Sequence, residues 1–151
     1  MSQKLEAPYY QPFTPTKKID SEMWDSTQKS RPRTEISHFE QSATIEEASG
    51  GYDLRIRTSG TELVPVTIEI AFRPGGTLEG VKPIPNAPDS FLIAGSEARY
   101  KFGKDIIKVS PGKSEHQWTR EMRYIEAKLP GPTLFLTGFA PFDHTIQFRF
   151  A

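Results

Sequence analysis

Cysteine is absent from the chain, which removes disulfides, thiolate nucleophiles and cysteine metal sites together and leaves the redox compartment open. No stretch approaches the roughly 18 consecutive apolar residues of a membrane-spanning helix. The opening MSQKLEAPYYQPF lacks the apolar core of a secretory leader. The chain as given therefore reads as soluble and cytoplasmic by default, or exported if it is part of a larger protein. An excess of one charge is missing too: 19 basic and 19 acidic side chains cancel. No long-range field draws such a chain to nucleic acid or an anionic bilayer, so neither is expected as a partner. The signatures P-loop, G-x-G-x-x-G, G-x-S-x-G and H-E-x-x-H are absent, which weighs against several large enzyme classes. Histidine is scarce: His38, His116 and His144 never fall two or four residues apart. No metal site is written in that spacing, and neither metal nor cofactor is expected.

What is present fits one domain with a tail, since 151 residues suffice to bury about 68–70% of the unfolded surface. Residues 1–35 carry Pro8, Pro12, Pro15 and Pro32 among Lys, Ser, Gln and Thr, the composition of an extended arm. Tyr9, Tyr10, Phe13 and Trp24 in so polar a stretch predict that the arm lies against the body. Ser21–Gln28 is expected as a short helix capped by Asp20 or Ser21.

The body, residues 36–151, has the two-residue period of strands. Tyr52, Leu54 and Ile56 alternate with Asp53, Arg55 and Arg57. The clearest pattern is Val64, Val66, Ile68, Ile70 and Phe72 against Pro65, Thr67, Glu69, Ala71 and Arg73. Pro65 lacks a backbone donor and predicts an edge position for that strand, whose apolar face should be the middle of the core. Strands are also expected at Ala43–Glu47, Thr77–Val81, Phe91–Ile93, Leu134–Thr137 and Thr145–Phe150, with a hairpin turning at Gly103-Lys104. The segment His116–Ile125 reads as a strand, or as a brief helix over Glu121–Lys128. Each element ends at Gly or Pro. The fold class is all-β: an antiparallel β-sandwich, with a cupin-like jelly-roll barrel as the alternative and an extended N-terminal arm.

The densest cluster of polar and aromatic groups is His116, Trp118, Arg120, Arg123 and Tyr124. Aromatic faces stack on the C–H surfaces of sugars and planar Arg or His groups hydrogen-bond paired hydroxyls, so these five are the candidate ligand-binding residues. The plainer reading makes Trp118 a core aromatic and the arginines a solvated strand face. Acid/base chemistry would need two carboxylates close together, and Glu69 and Glu79 meet only if their strands pair across Pro74-Gly75-Gly76.

Two partial resemblances add to this. The run from Gly103 through Pro111-Gly112 to His116-Gln117-Trp118 looks like the second cupin motif, a Gly-led strand, a Pro-Gly turn and a metal-binding His; the first motif has no counterpart around Thr67–Gly80. It implies a pocket near His116. From Gly51 to Phe150, the pieces Tyr100-Lys101-Phe102-Gly103, Ile107, Pro111-Gly112, His116-Gln117-Trp118-Thr119 and LFLTGFAPFDHTI (Leu134–Ile146) look like the C-terminal β-domain of heparinase II/III-like polysaccharide lyases. That resemblance implies a domain that packs against a helical catalytic toroid and helps shape a sugar cleft, without catalytic residues of its own.

The leading expectation is thus a non-catalytic carbohydrate-associated β-sandwich module that binds a polysaccharide or oligosaccharide or supports a degrading partner. One rival is a small cupin-like enzyme or isomerase with a pocket near His116. Another is a structural domain that homodimerises through the N-terminal arm or an edge strand.

Overall fold

The computed structural model describes residues 1–10, 33–117 and 130–151, and of residues 5–10 and 33–37 the backbone alone. The described residues form strands and no helix. The helices expected at Ser21–Gln28 and Glu121–Lys128 lie outside the described residues, as do Phe13 and Trp24. In chain order the strands are β1 (Ser2–Tyr10), β2 (Arg33–Ala48), β3 (Gly51–Gly60), β4 (Pro65–Ala71), β5 (Thr77–Glu79), β6 (Val81–Pro83), β7 (Ser90–Ile93), β8 (Ala98–Phe102), β9 (Asp105–Ser110), β10 (Thr133–Phe139) and β11 (Phe142–Phe150).

They build two packed sheets. A seven-stranded sheet has the order β1-β2-β3-β11-β9-β8-β5, and a four-stranded sheet the order β4-β10-β7-β6. The β-sandwich expected from the alternation is what forms. Antiparallel pairing holds between the strands except that β7 and β10 run parallel. Ser2–Tyr10, within the stretch read as an arm, pairs with β2 as an edge strand of the large sheet.

Register explains why the sandwich closes. Across β3 and β11, Leu54 lies opposite Ile146 and Tyr52 opposite Phe148, while Arg55 lies opposite Thr145 and Arg57 opposite Asp143. One face is therefore apolar and the other carries charge. The inward residues Ile146, Val109, Ala98, Leu134 and Leu136 are fully buried, and each of the Val, Leu and Ile side chains contributes about 1.5–3 kcal/mol of transfer free energy. The alternating strand Val64–Phe72 sits at the edge of the small sheet, as Pro65 predicts. Val66 and Phe72 are buried and Ile68 and Ile70 half-buried, so the middle of the core belongs to β10 instead.

The chain changes sheet at glycine or proline. Pro74-Gly75 carries it from β4 to β5, and Gly80 carries it from β5 to β6. Gly80 has φ +74°, and a Cβ there would stand 2.4 Å from the Glu97 carbonyl oxygen. Because β4 and β5 join different sheets, Glu69 and Glu79 do not meet: Glu69 lies opposite Phe135, and Glu79 pairs with Lys101 at 2.8 Å. The acid/base pair considered from the sequence is therefore not assembled. Among the described residues no helix is long and apolar enough to cross a membrane.

Candidate functional site

At one end of the sandwich the two sheets part around a cleft of about 760 Å³. Its walls come from strand ends: Tyr52 opens β3, Phe102 closes β8, Ile107 begins β9, Phe148 and Phe150 end β11, and Phe72 and Arg73 follow β4. Antiparallel order brings these termini to one rim, since successive strands alternately begin and end there. Phe72 and Phe148 are buried there, Tyr52, Phe102 and Ile107 are half-covered and Phe150 is exposed, so most of the rim is aromatic.

The floor is rigid. Tyr100 stacks on Phe72 with centroids 4.5 Å apart and planes at 16°, and its hydroxyl donates to the Arg73 carbonyl at 2.8 Å. Gly76 makes this possible, because a Cβ there would lie 2.3 Å from the Tyr100 ring. Tyr52 stacks on Phe148 at 4.5 Å and meets Phe150 at 6.3 Å with planes at 55°. Phe150 stays 56% exposed, an unusual state for phenylalanine unless something covers it. Burial pushes the Tyr52 hydroxyl above the ordinary tyrosine pKa, since the phenolate would be poorly solvated there.

Two charged side chains lie at this end. The Arg73 guanidinium sits 3.5 Å above the Phe102 ring centroid, a cation–π contact. Asp105 is the register partner of Phe102 across the β8–β9 hairpin and also lines the cleft. The arrangement offers apolar ring faces, one planar donor group and one acceptor, the composition of a site for an amphipathic ring.

Of the five residues expected to bind ligand, only His116 is among the described residues; Trp118, Arg120, Arg123 and Tyr124 lie outside them. His116 is not part of the cleft. It is buried at the opposite end of β4, where its Nε2 lies 2.9 Å from the Gly138 carbonyl and 3.2 Å from the Val66 carbonyl. Both carbonyls accept, so Nε2 carries the proton and donates to both. The ring meets Phe139 edge-on at 5.0 Å. Thr137 locks the same segment: its hydroxyl donates to the His116 carbonyl at 2.7 Å and faces the Glu115 and His116 amides at 3.1 and 3.2 Å. His116 thus ties the stretch after β9 to β4 and β10.

His144 lies on β11 with Nε2 2.8 Å from the Pro111 carbonyl. Asp143 receives two hydrogen bonds from Arg55, at 2.8 and 2.7 Å. That hydrogen-bonded contact holds its carboxyl below the usual aspartate range, with Arg57 adding to the effect. Among the described residues no three of His, Asp and Glu come together as metal ligands would. Leu134, Leu136, Val109 and Ile146 fill the interior between the sheets.

The cleft residues Tyr52, Arg73, Phe102, Asp105 and Phe150 were not candidates from the sequence, where the aromatics counted only as core positions. Their signal was positional: aromatics in the terminal inward place of several strands, with Tyr52 next to Gly51 and Phe102 next to Gly103. Comparison with family models, with curated proteins and with solved structures returned no match.

Proposed function

We propose that the chain is a non-catalytic β-sandwich module that binds carbohydrate in the aromatic cleft. One observation carries this reading: exposed and half-exposed rings of Tyr52, Phe102 and Phe150 share a single cleft with Arg73 and Asp105. Sugars present an apolar C–H face and an equatorial rim of hydroxyls, and such a cleft answers both features. A supporting role beside a polysaccharide-degrading partner follows from the same property, since a module that holds the chain keeps the enzyme near its substrate.

Isothermal titration with oligosaccharides tests the reading. Binding in the micromolar to millimolar range that Phe150→Ala weakens severalfold, with Tm unchanged, supports it. A full panel with no binding rejects it. Trp118→Ala belongs in the same experiment, because it separates a contact role for the His116–Tyr124 stretch from a purely structural one.

A second reading is homodimerisation, favoured by one observation. The large sheet ends in β2 and β1, and on β2 Ile45 is 68% exposed. A second copy that covers this flank makes a two-fold contact. Light scattering on the native chain and on Ile45→Asp decides the matter: a dimer that the substitution dissociates supports it, and a monomer at all concentrations removes it.

A further inference from the structure

Charge at the cleft narrows the class of sugar. Among its lining residues one side chain is cationic, Arg73, and one is anionic, Asp105. Arg55, Arg57, Arg99 and Arg149 each lie within 4.0 Å of a carboxylate. Among the described residues Arg73 has no such partner, and neither does Asp105. The Arg73 guanidinium carbon instead lies 3.5 Å from the Phe102 ring centroid, a cation–π contact that uses none of its N–H donors on a carboxylate. Asp105 stands across from that same phenylalanine, and its carboxylate oxygens are acceptors only.

Resting on the carbohydrate reading, we infer that the cleft selects an uncharged pyranose, with Arg73 donating to and Asp105 accepting from its hydroxyls. A hydroxyl both donates and accepts, so a neutral polyol satisfies both groups at once. A uronate or sulfate satisfies only Arg73. It also brings a second negative charge beside Asp105, and its own desolvation is not offset by another cation in the cleft. The apolar face of the sugar settles on Phe150, whose ring Tyr52 fixes from the side.

The experiment compares neutral oligosaccharides of glucose and galactose with the matching glucuronate and galacturonate oligomers, by titration calorimetry at low and high salt. Neutral ligands should bind about tenfold or more tighter than their acidic counterparts, a difference of about 1.4 kcal/mol, with little change on adding salt. Arg73→Gln and Asp105→Asn should each weaken neutral binding about tenfold, and Tm measurements confirm that both variants are folded. Tighter binding of the uronates, or a gain in affinity in Asp105→Asn, overturns the inference while leaving the carbohydrate reading standing. Sugar binding that neither variant alters overturns the assignment to this pair. Absence of binding by every sugar, acidic and neutral, rejects the carbohydrate reading itself.

Discussion

His116 shows how one residue type serves different ends according to its surroundings. An exposed histidine beside Trp and Arg suggests a ligand contact, whereas here the imidazole donates to the carbonyls of Val66 and Gly138 from a buried position. Removing it leaves buried acceptors short of a donor. His116→Ala should therefore lower stability by about 2 kcal/mol in urea unfolding, with saccharide affinity at the cleft unchanged. A large loss of affinity without a loss of stability would place His116 in the ligand site instead. Tyr52 carries the opposite kind of information. Its pKa is raised by burial, so the folded state holds the phenolic proton more tightly than the unfolded one. That contribution is whole below the ordinary tyrosine pKa of about 10 and is lost as pH rises through the folded value. Stability measured from neutral to alkaline pH should fall in that window, and Tyr52→Phe should flatten the fall.

At the scale of elements, the strands that the sequence reveals are those with one wet face. Tyr52–Arg57 and Val64–Arg73 alternate because the outward residues meet water. The strand β10 does not alternate: Thr133 through Gly138 are all buried, so neither of its faces is left to water, and the Thr137 side chain is itself hydrogen-bonded to the His116 segment. A run without period gives no sign that it is the central strand. The parallel pairing of β7 with β10 was equally hidden, because it depends on where the proline-rich connection returns the chain and not on either strand. The sheet changes, by contrast, are written in glycine and proline. Gly80 holds φ +74° against the Glu97 carbonyl, so Gly80→Ala should cost about 1–3 kcal/mol. The loss should appear as an earlier urea midpoint with an unchanged slope. No loss would mean that the crossing tolerates a side chain and that the close approach is not a constraint.

For the whole molecule, core and site are two outcomes of one rule. Apolar residues that alternate along strands fill the sandwich where both sheets overlap. At the end of the overlap the same parity leaves Tyr52, Phe102 and Phe150 facing a cleft. The sequence shows the parity but not the place where overlap stops, which is set by relative strand positions in two sheets; for that reason the aromatics were legible as core and not as a site. The most direct measurement is an aromatic NMR titration of the intact chain with a neutral oligosaccharide. The account predicts that signals of Tyr52, Phe102 and Phe150 move together along one isotherm while Phe39, at the other end of the sandwich, stays still. Shifts confined to residues away from the cleft, or none at millimolar sugar, would contradict it.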